Sequence, residues 1–390
     1  MAKRSRWNRI FWGPVFAILL AAALYVVGSA WILSASTYYS FTDLLMPRLV
    51  DLIVVAWLFW VGSAIGSFLN VVAYRLPLGR DVGGFSACPY CNTPLAKRDI
   101  VPVFGWLSLR GRCRACRLPI AARYPIVEAS VGVTLTLVGI MGLYLAGINL
   151  PYWPHGGFPF GAIHMPSVIT PAFAIGVYHM LAVTCSWALG LIRVDGVRLP
   201  RTLLWVCFSM VVIPMLVWPP LQVVSWQVTV EPGWVASDFL SAVLRILTGV
   251  VAALVLGRAI GQSLFPGADI KLDPLGKGTA RLLDLMAILA IPGIVVGWQA
   301  LIGVCLLACL LAIYLRRYLP TRDGLARLSI AMPVAFSLQL AAWRWLDRFA
   351  YWPGTQSPPW VILAAIFILL VITLWLKNKP APPEPVGVVV

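Results

Sequence analysis

The sequence is poor in charged residues, and that scarcity excludes a soluble globular protein. Asp, Glu, Lys and Arg make up 11% of the 390 residues, whereas 61% are hydrophobic. Soluble domains carry about 25% charged residues. The chain also lacks an internal repeat and a polar stretch long enough to form a large soluble domain. We therefore expect an all-α, multi-pass membrane protein embedded in the lipid bilayer.

Acidic residues are scarcer than basic ones, with 14 Asp and Glu against 30 Lys and Arg and a net charge of +16. In a soluble domain this excess would suggest a nucleic acid partner. Here the basic residues lie mostly in short loops between apolar runs, and cytoplasmic loops of membrane proteins are enriched in Lys and Arg. The charge therefore indicates membrane topology, and we expect no nucleic acid partner.

About eight to ten apolar runs are predicted to cross the membrane, and ten of them with both chain ends inside fit the charge pattern best. The loops 148–168 and 221–237 contain no Lys or Arg and are predicted to lie outside, as is 34–50. One region is expected to divide into two short helices at Pro292–Gly293 and Gly297. The ten predicted spans are 13–33, 51–73, 126–147, 169–192, 203–220, 238–262, 282–296, 298–315, 328–346 and 360–376.

Two C-x-x-C pairs lie in a basic loop between apolar runs, and each such turn supplies two thiolates from one tight bend. Four soft ligands suit tetrahedral zinc, so we predict a structural Zn²⁺ site in a small zinc-ribbon-like loop. Two disulfides or four idle thiols are the alternative, but the arginines of the loop place it in the reducing cytoplasm. The predicted zinc ligands are Cys88, Cys91, Cys113 and Cys116.

The remaining candidate metal ligands carry no such pattern. Cys185, Cys207, Cys305 and Cys309 lie inside apolar runs and are expected to be small buried side chains. The three histidines, His155, His164 and His179, show no ligand spacing. We therefore predict no second metal site.

Three stretches of the chain resemble the amino-terminal region of type IV prepilin peptidases. They are Gly66–Pro77 (GSFLNVVAYRLP), Pro102–Cys113 (PVFGWLSLRGRC) with the two cysteine pairs, and Arg123–Glu128 (RYPIVE). Members of this family cleave the short basic leader from prepilins and pseudopilins on the cytoplasmic side of the bacterial inner membrane. Many also methylate the new amino terminus with S-adenosylmethionine. The resemblance implies the same location, substrates and possible cofactor for this chain.

The resemblance also implies an aspartyl protease with two catalytic aspartates. Such an enzyme holds a water molecule between two carboxyl groups, one of which takes its proton while the other polarises the scissile carbonyl. The family motif G-x-G-D falls on Pro266–Leu272 (PGADIKL), which makes Asp269 one catalytic aspartate. The two family glycines are replaced here by Pro266 and Ala268, so the motif is kept only in part.

The other catalytic motif departs from the family pattern. Leu191–Arg201 (LIRVDGVRLPR) aligns with L-I-D-x-D-x-x-x-L-P-D, and the first aspartate of that motif, normally the catalytic one, is Arg193 here. Asp195 is retained at the second position, and the last aspartate is Arg201. On a continuing helix, a shift of two residues turns a side chain by about 200°. Either Asp195 has taken over catalysis, or the peptidase has lost half of its pair.

Residues outside these motifs add little. Asp273 and Asp284 are further carboxylates of the same region, for which structural roles are expected. The chain has no glycine-rich turn of the soluble methyltransferase folds. The resemblance associates methyl transfer with the zinc loop and with Asn70, Arg75 and Glu128, whose roles could equally be structural.

Three hypotheses therefore stay open. The first is a working leader peptidase that uses Asp195 and Asp269, with or without methyl transfer. The second is a divergent member without proteolysis that keeps methyl transfer or binding, which Arg193 and Arg201 favour. The third is a membrane scaffold whose zinc loop docks partners of a pilus or secretion assembly. The expected divisions are an extra helix with its loop at 1–50, the zinc-loop region at 51–130, the peptidase region at 131–320, and terminal helices with a disordered tail at 321–390.

Overall fold

Helices make up all the regular structure in the part of the chain that the computed structural model describes. That part comprises residues 2–151, 170–227, 238–266, 268 and 276–377, with side chains from Phe16 onward. Within it, strand-like pairing occurs only at two isolated bridges in the cysteine loop, so the all-α expectation is confirmed. The helices are α1 (Ala2–Ser36), α2 (Phe41–Arg75), α3 (Phe104–Ser108), α4 (Arg123–Gly139), α5 (Thr170–Val194), α6 (Arg201–Val217), α7 (Phe239–Leu264), α8 (Lys277–Val296), α9 (Trp298–Leu315), α10 (Gly324–Ala341), α11 (Trp343–Arg348) and α12 (Pro359–Thr373).

The predicted multi-pass arrangement is confirmed. Nine helices of the described ranges are long and apolar enough to cross a membrane, and α6, with 17 residues, is a shorter apolar helix. Each of the ten predicted spans overlaps one of these ten helices, although several bounds differ. We use the term loop end for the end of the bundle at which α2 stops and α4 begins, because the cysteine loop joins them there.

The second helix starts ten residues earlier than expected. The segment 34–50, predicted as an outside loop, is helical except for a short turn, and α2 begins at Phe41. A capping box explains the difference, because the Ser40 side chain accepts a hydrogen bond from Asp43 N while the Asp43 carboxylate accepts one from Ser40 N. Two satisfied donors fix the helix start at this point.

Only one of the two predicted helix breaks between α8 and α9 exists. The helix α8 continues through Pro292 and Gly293, and Gly293 lies against the backbone of Gly249 in α7. The predicted break at Pro292–Gly293 is therefore wrong, since membrane helices tolerate proline. The break lies at Gly297, whose φ of 91° favours glycine. There the Arg245 guanidinium donates to Val295 O at 3.0 Å and fills the space that a side chain would need.

Small residues let α2 and α4 approach closely along the bundle. A Cβ built on Gly66 would lie 2.9 Å from Glu128 Cα, and one built on Gly62 would lie 3.0 Å from Gly132 Cα. Close backbone contact at small residues is a common way to join membrane helices. The pair therefore holds the two ends of the cysteine loop side by side.

Three helices form the centre of the bundle. In an apolar stretch of 18 residues in each helix, 78% of the residues are buried in α5 and α8 and 83% in α10, whereas 28% are buried in α2, α7 and α12. By contrast, only 6% of the α1 window is buried, and α1 packs against α2 at the edge. The loop ends of α5, α8 and α10 carry the charged residues that form the candidate site.

We expect Gly66→Ala to lower the free energy of unfolding by about 1–3 kcal/mol, because the new Cβ would press on the backbone of α4. Thermal unfolding of the detergent-solubilised protein measures this effect. Gly28→Ala is the matched control, since a Cβ at Gly28 meets nothing within 4 Å while the gain in helix propensity is the same. Equal melting temperatures for the two variants would contradict the role of this close contact.

Candidate functional site

The two cysteine pairs fold into two equivalent turns. In the first, Cys88 N donates to Thr93 O at 3.0 Å and Asn92 N donates to Cys88 O at 2.9 Å. In the second, Cys113 N donates to Leu118 O at 2.9 Å and Arg117 N donates to Cys113 O at 3.1 Å. Asn92 and Arg117 both have a positive φ, which closes each turn behind its second cysteine. The backbone thus directs all four thiols into one space.

The four sulfur atoms lie at distances that suit a tetrahedral metal ion. All four fall within 4.8 Å of one another, with Cys88 Sγ 3.8 Å from Cys116 Sγ and Cys91 Sγ 3.9 Å from Cys113 Sγ. A tetrahedral ion with metal–sulfur bonds of about 2.3 Å separates its ligands by about 3.8 Å. A disulfide would need about 2.05 Å. All four cysteines are free in this structure, and the cluster fits a metal ion.

Hydrogen bonds favour the thiolate form that metal binding requires at Cys91 and Cys113, whereas burial and the neighbouring thiols raise the pKa of Cys116 to about 11. The pKa of the Cys91 thiol is lowered to about 6, first by the Thr93 hydroxyl, which lies 3.3 Å from Sγ, and then by the Thr93 backbone. Backbone N–H groups of Cys116 and Ala115 lower the pKa of the Cys113 thiol. Because only the thiolate is a good metal ligand, these contacts prepare the loop for a cation.

Three polar residues that the resemblance singled out hold the loop and the two helices that flank it together, with Glu128 and Arg75 binding the loop and Asn70 joining α2 to α4. Glu128 of α4 accepts a hydrogen bond from Val103 N at 2.6 Å, and Asn70 of α2 donates to Tyr124 O at 3.3 Å. Arg75 donates to Phe85 O at 3.0 Å. Within the loop, the Arg114 guanidinium binds Asp99 at 2.6 and 3.0 Å and holds the pKa of that carboxyl below its usual range. The loop is therefore a defined unit seated on α2 and α4.

A cavity of about 580 Å³ lies between the loop and the ends of these two helices. Its polar lining includes Asn70, Arg75 and Glu128. Its aromatic lining consists of Tyr74, Phe85, Tyr90, Trp106 and Tyr124. Cavities of this size accommodate small molecules, and aromatic rings attract cationic groups.

Asp195 lies at the loop end, one residue beyond α5. Its Oδ1 is 2.6 Å from Arg123 Nη1 and 3.4 Å from Arg322 Nη2. The chain leaves the helix here, because Gly196 has a φ of 80°. Asp195 is thus held on a turn between α4 and the start of α10, and its side chain is half-buried.

Arg193 points elsewhere. It is 3% exposed, its Nε lies 3.5 Å from Asp284 Oδ2 of α8, and its Nη1 donates to Val197 O at 3.2 Å. The backbone N–H of Leu199 also donates to Asp284. Asp284 thus contacts both the end of α5 and the turn that follows it, which supports the structural role expected for it. Arg193 and Asp195 therefore face different neighbours, Asp284 for the first and Arg123 and Arg322 for the second.

Several predicted residues lie outside the described part of the chain, among them Asp269, Asp273, His155 and His164. The described residue before Asp269, Ala268, is buried, and its carbonyl accepts from Arg258 Nη1 at 3.1 Å. A Cβ on Gly278 of α8 would lie 3.2 Å from Ala268 Cα. His179 is fully buried, 5.8 Å from the Trp343 ring, and Cys185, Cys207, Cys305 and Cys309 are buried as expected.

Sequence reasoning missed the contribution of α10. Arg322 reaches Asp195 across 127 positions of the chain, and Asp323 binds Arg281 of α8. Asp323 also accepts a hydrogen bond from Ala326 N at 2.7 Å and caps α10. An aspartate before an apolar run is a readable start signal for a helix, but nothing local indicates its long-range partners.

The chain is similar to known proteins in the region that contains the cysteine loop. The model of the bacterial peptidase A24 N-terminal domain matches residues 60–141. A Myxococcus xanthus prepilin leader peptidase/N-methyltransferase is 36% identical over 126 residues, which are 32% of this chain and 34% of that protein. A Klebsiella pneumoniae protein of the same name is 42% identical over 93 residues, 22% of this chain and 41% of the relative.

A third relative is the Escherichia coli type 4 prepilin-like proteins leader peptide-processing enzyme, 30% identical over 137 residues, 30% of this chain and 47% of that protein. The chain therefore spans less than half the length of each of these relatives. No solved structure matches the chain at a significant level. The family model matches only the segment 60–141, which carries the cysteine loop.

Cys88→Ser is expected to lower the metal content of the purified protein and to loosen the loop, because three thiolates and a weak hydroxyl would no longer complete a tetrahedral site. Elemental analysis of the purified protein measures the metal content. The matched control is Cys305→Ser, which makes the same change at a buried cysteine of α9 far from the cluster. A metal content equal to that of the unaltered protein in Cys88→Ser would refute the four-cysteine site.

Proposed function

We propose that the chain, which matches the bacterial peptidase A24 N-terminal domain over residues 60–141, belongs to the type IV prepilin peptidase family and cleaves the leader of prepilins or pseudopilins. The observation that carries this proposal is the contact between Arg123 and Asp195 at 2.6 Å. Arg123 opens the RYPIVE motif inside the matched segment, whereas Asp195 lies in the candidate catalytic motif. The recognised domain is therefore joined directly to a candidate catalytic carboxylate.

The proposed location is the inner membrane of a bacterium, with the loop end in the cytoplasm. The loop end carries many arginines, whereas the opposite loops contain no Lys or Arg at 148–168 and 221–237. Lys and Arg are enriched on the cytoplasmic side of membrane proteins. The substrate leader would then reach the site from the cytoplasm.

The proposed catalytic residues are Asp195 and Asp269. Two carboxyl groups and one water molecule suffice for peptide hydrolysis, provided that one group is ionised and the other protonated. Arg123 and Arg322 orient the Asp195 carboxylate from two separate elements. The buried backbone of Ala268, next in the chain to Asp269, lies against the start of α8. These contacts support a site between the loop ends of α5, α7 and α8.

We propose that the cluster of four cysteines binds a structural Zn²⁺. A closed set of four thiolates leaves no position for a reacting water, which is typical of structural and not catalytic zinc. The ion would hold the two cysteine turns together, and so keep the loop seated on α2 and α4. With this assignment, we keep the predicted division of the chain into a zinc-loop region at 51–130 and a peptidase region at 131–320.

Methyl transfer is the second candidate function, and the cavity beside the loop favours it. S-adenosylmethionine carries a sulfonium cation, which aromatic faces attract. The aromatic and polar lining of the cavity supplies such faces together with Asn70 and Glu128. A member that keeps only this activity would explain why the family's first catalytic aspartate is replaced by Arg193. A scaffold without activity has no use for such a cavity.

Asp195→Asn and Asp269→Ala are each expected to slow leader cleavage by about 10²–10⁴-fold, since each removes one group of the acid–base pair. Purified protein in membranes, a cognate prepilin and gel analysis of the processed product provide the measurement. Asp238→Asn is the matched control, because Asp238 is exposed at the start of α7, away from the loop end. Undiminished cleavage in Asp269→Ala would rule out the aspartyl mechanism. Inert wild type with an active Arg193→Asp variant would instead identify a peptidase that has lost its catalytic pair.

Tyr90→Ala is expected to weaken S-adenosylmethionine binding while leader cleavage continues. Loss of one cation–π contact costs roughly 0.5–2 kcal/mol. Calorimetric titration of the purified protein measures the affinity. Tyr38→Ala serves as the control, since Tyr38 is fully exposed between α1 and α2. Unchanged affinity in Tyr90→Ala would remove the cavity as the methyl-donor site.

A further inference from the structure

The short helix α3 of the cysteine loop and the residues just before it present apolar side chains to the outside. Ile100, Val101, Phe104 and Leu107 are between 38% and 52% exposed among the described residues. Phe104 and Leu107 are three positions apart and therefore lie on the same face of α3. We call these four side chains the α3 face. Apolar side chains gathered on an otherwise polar loop indicate a contact surface.

The opposite side of α3 is fixed against the rest of the loop. Gly105 is buried, and a Cβ built on it would clash with the backbone carbonyl of Asp99. The indole Nε1 of Trp106 donates to Ile120 O at 3.0 Å. Asp99 itself is held by the guanidinium of Arg114. Because these contacts occupy one side of the helix, Phe104 and Leu107 point away from the loop.

A hydrogen bond to α4 places α3 at the level of the membrane surface. The apolar span Arg123–Tyr144 has 22 residues, so it is about 33 Å long and little longer than the hydrocarbon layer of about 30 Å. Its start can therefore extend only a short way out of the bilayer. Val103 N, directly before α3, donates to the Glu128 carboxylate at 2.6 Å. Since side chains of a helix tilt toward its start, Val103 lies beside the first two turns of α4.

Another part of the loop is held farther from the bilayer. Asn70 of α2 donates to Tyr124 O at 3.3 Å, so these two residues lie at one level. Arg75 lies five residues, or about 7.5 Å, farther out along α2, and its guanidinium donates to Phe85 O at 3.0 Å. Glu128 lies on the other side of that level, toward the membrane. The α3 face is therefore nearer to lipid than Phe85 is.

Basic residues predominate in the cysteine loop. Residues 76–122 contain seven Lys and Arg against two Asp and no Glu, a net charge of +5, and all of them lie in the described part of the chain. A Zn²⁺ ion with four thiolates would lower this charge to +3. Lys97 and Arg98 are exposed directly before the α3 face. Anionic lipids of the cytoplasmic leaflet attract basic groups at such a position.

We propose that the α3 face inserts into the anionic cytoplasmic leaflet, with Lys97 and Arg98 against the lipid phosphates. This inference rests on the proposed cytoplasmic position of the loop end, and not on either proposed activity. Apolar side chains of an interfacial helix enter the boundary between headgroups and acyl chains, and basic neighbours add attraction to anionic lipid. A surface for a protein partner would more naturally face the cytoplasm, whereas α3 lies beside a membrane span. Because Ile100 and Val101 also line the cavity beside the loop, the contact would hold the rim of that cavity at the leaflet.

Photocrosslinking from single positions tests the proposal. The full-length protein carries p-benzoylphenylalanine in place of Phe104 or Leu107 and is placed in nanodiscs with equal amounts of phosphatidylcholine and phosphatidylglycerol. After irradiation, mass spectrometry of the intact protein counts the lipid adducts. Ile126, an exposed residue of α4, is the positive control, and Phe85, which is more exposed than Phe104, is the matched aromatic control. We expect at least about fivefold more adducts at Phe104 and Leu107 than at Phe85, because an interfacial face lies about 5–10 Å deep in the headgroup and acyl boundary.

The charge contribution is tested by the ratio of phosphatidylglycerol to phosphatidylcholine among the adducts at Phe104. We expect this ratio to exceed one in the otherwise unaltered protein. Lys97→Gln combined with Arg98→Gln is expected to lower it by about fivefold or more, since each basic residue near an anionic surface contributes about 1 kcal/mol. Arg112→Gln combined with Arg117→Gln makes the same charge change at exposed positions around the second cysteine pair and should leave the ratio unchanged.

Lipid adducts at Ile126 without any at Phe104 and Leu107 would overturn the proposal, as would equally abundant adducts at Phe85. A ratio of one for the two lipids would overturn the role of the anionic headgroup. Irradiation of whole cells that attaches Phe104 variants to a protein instead of lipid would overturn the proposal in favour of a docking surface. Because none of these measurements requires catalysis, failure of the proposed peptidase or methyl transfer would leave their outcome unchanged.

Discussion

The close contact between α2 and α4 is the constraint on which the loop end depends. Gly62 and Gly66 let the two helices approach until the Gly66 backbone meets Glu128. At this distance, Glu128 can bind Val103 N and Asn70 can bind Tyr124 O, which seats the cysteine loop. The loop, the cavity beneath it and the position of Arg123 all follow from these two helices. A small residue in the membrane therefore sets the geometry of a polar unit outside it.

The buried Arg193 depends on a partner from a facing helix. A guanidinium buried at the end of α5 needs a carboxylate, and α8 supplies Asp284 from the facing helix. Asp284 also accepts from Leu199 N, so the same residue fixes the turn that carries Asp195. The ion pair is thus part of the scaffold. Its loss would disturb the turn as well as the charge.

Local patterns allowed much of this structure to be predicted. Apolar runs mark the helices because each must satisfy its own backbone in lipid, and C-x-x-C spacing marks the cluster of four cysteines because both thiols of a pair come from one turn. The capping box of Ser40 and Asp43 is a local signal as well, but 34–50 was expected to be an outside loop, so the start of α2 was not predicted. The contact between Arg322 and Asp195 could not be predicted, because it joins residues 127 positions apart. Ion pairs between distant helices depend on packing, which no local signal encodes.

Asp195 lies just beyond the end of α5, so contacts with other parts of the chain must hold its carboxylate. Helix geometry alone would turn it away from the site of Arg193, but α5 ends at Val194 and Gly196 redirects the chain. A side chain on such a turn is normally mobile. Here Arg123 and Arg322 bind it from two elements that are themselves packed in the bundle, and this double contact replaces the rigidity of the helix. The orientation of Asp195 therefore depends on α4 and α10 as much as on α5.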